Sequence, residues 1–278
     1  MTHAGVAPNT IGPHKSAPLP SLYDEPHFYD IAFSPGTELQ VDRLRTLFNA
    51  HQHCPTQSIL EPACGSGRIV MGLAGAGYRV SGFDQNPLMV AFTAGRIAQS
   101  GLGDRVDVRR ADMRDASYPR DYDAAVNLFN SLGHLRDDAD IAAHFASVSR
   151  CLHANGLYVV QVDCAWTDPS LAEEGRWTAA RDGISIEVQW SILGQDTAAK
   201  VSEQRCRMRV ADRWGEHELV EDFALRLWSR EDLERLSARE GFQLEAVHTE
   251  DLSAVPAGSP LSGELGNLYF VFRRVEHR

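Results

Sequence analysis

The sequence predicts an α/β protein: a doubly wound, mostly parallel sheet of seven strands, with an antiparallel β insertion after strand five. Three observations predict it. Between residues 56 and 163, short apolar runs alternate with segments whose apolar residues recur at helical spacing, the pattern of strands joined by crossover helices. From residue 184 the apolar period changes to two, as in strands with one buried and one wet face. After residue 229 one more helical segment and two more apolar runs follow, which brings the main sheet to seven strands.

Taken in order, residues 1–20 ("MTHAGVAPNTIGPHKSAPLP") are rich in Pro, Ala and small polar residues without periodicity and read as a disordered tail. Residues 21–55 form a cap segment. The aromatic stretch "SLYDEPHFYDIAFS" precedes a helix that places Leu39, Val41, Leu44, Leu47 and Phe48 near one face. Residues 56–163 are the α/β core. "TQSIL" is its first strand and "RIVMGLAGAG" its first helix; "YRVSGFD" is the second strand. The next helix, "NPLMVAFTAGRIAQSG", has Asn86 suited to the N-cap and Pro87 to the first helical position. "DRVDVRRADM" and "YDAAVNLFN" supply strands three and four, "IAAHFASVSRCL" a helix and "GLYVVQVD" strand five.

Residues 164–228 read as a lid insertion. A polar loop, "TDPSLAEEGRWTAARDG", leads to the alternating segments "ISIEVQWSI", "CRMRV" and "FALRL", with turns expected at Gly194, Gln195 and Asp196 and at Trp214 and Gly215. Residues 229–278 return to the core: Ser229 caps the helix "REDLERLSAREG", and "FQLEAVHTE" and "NLYFVFRR" are strands. There is no internal repeat.

Bulk composition narrows the function. The chain of 278 residues is 43% apolar, enough for a substantial core, and no apolar run approaches a membrane span. No continuous apolar segment near the N-terminus suggests a secretory signal. The 27 basic and 38 acidic residues give a formal charge of −11, which argues against nucleic-acid or anionic-membrane partners. Cys54, Cys64, Cys151, Cys164 and Cys206 are odd in number and form no C-x-x-C, so neither a disulfide framework nor a zinc ribbon is expected. The stretch "HQHC" (His51 to Cys54) reads as a solvated connection rather than a metal site. No metal is expected, and a cytoplasmic location is.

The chemistry begins at "LEPACGSGRIV", residues 60–70. A glycine turn between a strand and a helix N-terminus points backbone N–H groups at a ligand. It could receive a phosphate, a dinucleotide or the amino-acid end of S-adenosylmethionine. Gly65 and Gly67 match half of G-x-G-x-x-G, but Val70 stands where the third glycine belongs, and no G-K-[ST] follows. Asp84 ends strand two, 19 residues beyond Gly65, where a carboxylate can accept from both ribose hydroxyls. At the end of strand three, Asp112 can accept from an adenine amine while Met113 packs on the base. Strand four ends in "NLFNSLGH", polar residues where a reacting group would sit.

These motifs, "EPACGSGR", "GFD", "ADM" and "NLFNSLGHL" followed by "LHANGLYVVQVD", resemble those of the class I S-adenosylmethionine-dependent methyltransferases. The resemblance is good over residues 56–163 and loose elsewhere, with Glu61 in place of the family's commoner aspartate. "ADMRD", "NSLGHL" and "FYDIAF" are most similar to small-molecule N-methyltransferases, especially amino-sugar N,N-dimethyltransferases. The resemblance implies a Rossmann-like methyltransferase fold, S-adenosylmethionine as cofactor (S-adenosylhomocysteine as its product), and in-line methyl transfer to a small-molecule acceptor, an amine nitrogen first. It implies a cofactor-binding set of Tyr29, Glu61, Ala63, Gly65, Gly67, Arg68, Asp84, Gln85, Asp112, Met113, Asn127 and Phe129. It also implies catalytic roles for His134 and Tyr29, which match a histidine and an N-terminal tyrosine that line the family's acceptor pocket. The insertion would be the lid, or the element that pairs a homodimer.

Some features depart from parts of the class. DNA amino-methylases carry D/N-P-P-Y after strand four, where this chain has "NLFN", and there is no carboxylate cluster for a metal-dependent catechol-type O-methyltransferase. Small-molecule O-methylation and a catalytically silent member of the fold remain as alternatives. A nicotinamide-dependent oxidoreductase is opposed by Val70 and "ADM". Cys64 reads as a small residue beside the cofactor, Trp166 and Trp190 as lid packing, and Arg226 as a solvated arginine on the polar face of its strand.

Overall fold

The computed structural model describes residues 21–115, 118, 122–168 and 174–276; the expected tail, residues 1–20, lies outside the described residues. A 3-10 turn at Leu22–Asp24 leads to α1 (Pro26–Phe33) and α2 (Thr37–His51). The core continues with β1 (Ser58–Pro62), α3 (Arg68–Gly75), β2 (Arg79–Asp84), α4 (Pro87–Ser100), β3 (Val106–Arg110) and β4 (Tyr122–Asn127). Next come α5 (Asp138–Cys151) and β5 (Leu152–Val162). The insertion holds β6 (Gly175–Arg181), β7 (Ile184–Asp196), β8 (Val201–Asp212) and β9 (Gly215–Arg226), and α6 (Arg230–Arg239), β10 (Phe242–His248) and β11 (Leu268–Arg274) complete the described elements.

The main sheet has the order β10-β11-β5-β4-β1-β2-β3. Its pairings are parallel except that β11 runs antiparallel to both β5 and β10. β1 is buried at every position and β11 likewise, because helices cover both faces of the sheet. One apolar layer gathers Phe145, Tyr158 and Phe242, and the opposite layer Leu44, Phe48, Ile59 and Leu73. The chain order reverses between β1 and β4, and ligands of such sheets bind beyond the carboxyl ends at that crevice. Local signals set the helix starts: the Asn86 side chain accepts from the Leu88 and Met89 N–H groups ahead of α4, and Ser229 accepts from Asp232 at α6.

The insertion is an antiparallel sheet of order β6-β7-β8-β9. In β8 every second side chain from Ser202 to Val210 is buried, and this face packs on Leu22, Ile31 and Ala32 of the N-terminal segment. Among the described residues, no helix is long and apolar enough to cross a membrane.

Four expectations need correction. The polar loop before Ile184 contains β6, whose mixed burial, with Ala179 its one buried residue, left little periodicity to read. Gly194, Gln195 and Asp196 lie inside β7; a register shift between Ile192 and Gly194 accommodates the glycine as a bulge, and the turn follows at residues 197–200. Leu39 is 55% exposed, since it lies two residues from Val41, about 200° around the helix. Arg226 is buried, 3% exposed; it donates to Asp138 Oδ1 at 2.7 Å and to the Arg136 carbonyl at 3.0 Å, fixing the end of β9 to the start of α5.

Candidate active site

The glycine turn from β1 into α3 is built from left-handed residues: Ala63, Gly65 and Gly67 have φ of 56°, 52° and 75°. Gly67 is also the tightest point, because a Cβ there would come 2.3 Å from Thr93 Cγ2 on α4. Asp84 ties the turn to β2. Its Oδ2 accepts from the Gly65 N–H at 2.9 Å and its Oδ1 from the Asn86 N–H at 2.8 Å. Burial raises its pKa above the usual carboxylate value, and each oxygen keeps accepting capacity for a further donor.

Glu61 and Arg68 flank the turn. Glu61 is 5% exposed, its Oε2 has no partner, and burial pushes its pKa up to about 8 against the attraction of Arg68. Arg68 Nη1 donates to Gln40 Oε1 at 2.6 Å and to Thr37 Oγ1 at 3.2 Å, and its guanidinium lies 3.7 Å from the Phe129 ring centroid. Its Nη2 has no partner, and burial lowers its pKa to about 10. A buried unpaired acceptor on an acid and a buried unpaired donor on a base are costly unless a ligand completes them. A zwitterionic amino-acid group carries the two complements: an ammonium for Glu61 and a carboxylate for Arg68.

A cavity of about 870 Å³ runs from the turn to the inserted sheet. Nine of the expected residues reach it: Tyr29, Ala63, Gly65, Asp84, Gln85, Asp112, Met113, Phe129 and His134. Glu61, Gly67, Arg68 and Asn127 are not among its lining residues; the Asn127 side chain donates to the Pro62 carbonyl at 3.0 Å. Asp112 has a partner that the sequence reading missed. Arg114 Nη2 donates to Asp112 Oδ2 at 2.6 Å and Arg114 Nε to Oδ1 at 3.0 Å, which holds the Asp112 carboxyl below its usual range. The i+2 arginine in "ADMRD" was the available signal.

His134 ends a 3-10 turn, Ser131–His134, after β4. Tyr23, rather than Tyr29, meets it: the Tyr23 hydroxyl lies 3.2 Å from His134 Nε2. Tyr29 instead faces the glycine turn, its Cε1 3.8 Å from where a Gly65 Cβ would sit, and packs on Phe33 with ring centroids 4.5 Å apart. Burial pushes the Tyr29 hydroxyl up to about 12, so it stays protonated at neutral pH. The His134 ring keeps an accessible edge toward the cavity, while the protein packed around it lowers its pKa and favours the neutral imidazole. Trp190 packs as a lid residue, stacked on Phe223 at 5.3 Å and 7°, and at the same time lines the cavity. The buried Cys64 thiol has its pKa raised well above the ordinary value, so it is no nucleophile at neutral pH.

Residues 59–156 match the family described as the methyltransferase domain. The chain carries a methyltransferase domain over those residues. It is 26% identical over 234 residues to the dTDP-3-amino-3,6-dideoxy-alpha-D-glucopyranose N,N-dimethyltransferase of Streptomyces fradiae, covering 77% of this chain and 85% of that one. Its fold is shared with Streptomyces venezuelae DesVI, at TM-score 0.70 and 18% identity over 90% of this chain and 96% of the other. It is also shared with CalS10 of Micromonospora echinaspora, an amino pentose methyltransferase solved with S-adenosylmethionine bound, at TM-score 0.66 and 20% identity over 94% and 100% of the two chains. The glycine turn with its unpaired flanking charges fits the amino-acid end of S-adenosylmethionine.

Proposed function

We propose that this methyltransferase methylates an amine nitrogen of a small molecule, with the cofactor held by the residues around the glycine turn and the acceptor under the inserted sheet. Glu61 and Arg68 would receive the amino-acid end, Asp84 the ribose, and Asp112 with Met113 the adenine. S-adenosylmethionine supplies a methyl group already activated on a sulfonium, so the chain's main task is alignment, which can lower a barrier by roughly 7–11 kcal/mol.

The observation that carries the amine is the Tyr23–His134 pair at the acceptor end of the cavity. A tyrosine hydroxyl and a histidine ring 3.2 Å apart can orient an acceptor nitrogen or relay its proton, and an amine becomes a competent nucleophile once it has shed that proton, whereas a neutral hydroxyl needs a base throughout. Residues 164–228 act as the lid and residues 21–55 as the cap, since Leu22, Ile31 and Ala32 pack directly on the inserted sheet. The test is transfer from methyl-labelled S-adenosylmethionine to matched amines and alcohols, read by mass spectrometry. Label on amines alone supports the proposal; label on alcohols alone overturns it.

A further inference from the structure

Between the glycine turn and the inserted sheet the cavity has an aromatic wall with a chemistry of its own. Five aromatic rings that line it close a circuit: Tyr23 to Tyr29 at 5.6 Å between centroids, Tyr29 to Phe33 at 4.5 Å, Phe33 to Trp190 at 6.3 Å, Trp190 to Phe223 at 5.3 Å, and Phe223 back to Tyr23 at 5.9 Å. Ring faces attract both apolar groups and cations.

Beside this circuit lies a carboxylate whose side-chain partners are neutral. Asp163, just past β5, accepts from Asn130 Nδ2 at 3.2 Å and from the Gln204 side chain. Gln204 in turn accepts from the Trp190 indole N–H at 2.8 Å, which joins Asp163 to the aromatic circuit. Among the described residues no cation pairs with Asp163, and burial pushes its pKa up to about 6. Asn130 is 5% exposed and lines the cavity, yet its Oδ1 has no partner. That oxygen is itself buried beside Gly133, whereas the Asp163 carboxylate lines the cavity and is complemented by a group with several N–H donors.

The same wall is poor in cations. Arg114 is the one arginine or lysine among the described lining residues, and Asp112 and Asp140 already hold it. Phosphates are recognised by arginine, lysine or helix N-termini; at this cavity the start of α4 is capped by the Asn86 side chain and the first turn of α5 carries Asp138 and Asp140.

We propose that the acceptor is a phosphate-free amine on an apolar or aromatic body, its nitrogen received by Asp163 and its body by the aromatic circuit. The dTDP-linked substrates named for its Streptomyces relatives would then be excluded. Asp163 serves recognition rather than proton removal, because an alkyl ammonium near pKa 10.4 holds its proton far more tightly than a carboxyl does. This inference rests on the methyltransferase reading of the cavity.

The test is calorimetric binding of three probes to the protein saturated with S-adenosylhomocysteine: 2-phenylethylamine, its neutral analogue 2-phenylethanol, and a dTDP-linked amino sugar. The amine should bind about tenfold or more tightly than the alcohol, and the nucleotide sugar no better than the alcohol. Asp163→Asn should weaken the amine about tenfold and leave S-adenosylhomocysteine unchanged. The proposal is overturned if the nucleotide sugar binds best, if amine and alcohol bind alike, or if none of the three binds to the loaded protein. It is also overturned if Asp163→Asn weakens S-adenosylhomocysteine, since that carboxylate would then serve the cofactor's ammonium. Should that variant not fold, the amine–alcohol comparison on the unaltered protein decides. Failure of S-adenosylhomocysteine itself to bind would instead overturn the underlying methyltransferase reading.

Discussion

Glu61 holds a buried carboxyl whose Oε2 has no partner, and this gives the ligand-free protein a pH signature. Its pKa is raised from an ordinary 4.5 to about 8. Between those values the native state holds a proton that the unfolded chain has lost, so stability falls as pH rises across that window, by up to about 1.4 kcal/mol per unit. Glu61→Gln should flatten that fall, seen in melting temperatures from pH 5 to 8, while weakening S-adenosylhomocysteine about tenfold by calorimetry. Gly67 makes a second, purely steric prediction. Gly67→Ala must accept φ near 75° and a Cβ 2.3 Å from Thr93 Cγ2, and should lose about 1–3 kcal/mol in denaturant unfolding. At the other end of the cavity, Tyr23→Phe removes the hydroxyl that meets His134. Turnover should drop by no more than about 10²-fold, with cofactor affinity unchanged, because alignment rather than base strength dominates.

Among the elements, α1 is fastened to both halves of the molecule by one buried carboxylate. Asp30, fully buried, accepts from Arg96 Nη1 of α4 at 2.6 Å and from Arg181 Nη2 of β6 at 2.6 Å, and Arg96 also donates to the Ser66 carbonyl of the glycine turn at 3.0 Å. Both arginines keep partial access to water, so losing the carboxylate strands no fully buried charge. Asp30→Ala should cost roughly 2–4 kcal/mol by chemical unfolding, and loosen the cap enough to raise the apparent KM of the acceptor. None of this was legible from the sequence, since Asp30 lies 66 and 151 residues from its partners. Local signals could be read: Asn86 with Pro87, Ser229, and the alternation in β8 each depend on neighbours within a few residues. β6 and the burial of Arg226 could not, because tertiary contact decides them. Tyr23 and Tyr29 illustrate the boundary. Both were visible in one aromatic stretch, but only the packed fold shows which of them meets His134.

For the molecule as a whole, the two sheets divide the labour. The parallel sheet presents the glycine turn, Asp84 and Asp112 at its carboxyl ends, and the inserted sheet with the N-terminal cap closes an aromatic chamber over them. The cofactor half was legible because each strand end carries its own residue in chain order. The acceptor half was not, because it is assembled from residues far apart in the chain, such as Tyr23, His134, Trp190 and Phe223, with no common motif. An amine acceptor predicts that kcat/KM rises with pH toward the acceptor's own pKa, as the free amine replaces the ammonium; a flat profile between pH 7 and 10 would speak for another nucleophile. The most direct measurement is calorimetric titration of S-adenosylhomocysteine into the unaltered protein and Asp84→Asn. Saturable binding to the first, weakened about tenfold or more in the second, is what a cofactor held at the ends of β1 and β2 requires. No binding to the unaltered protein, or equal binding to both, would contradict it.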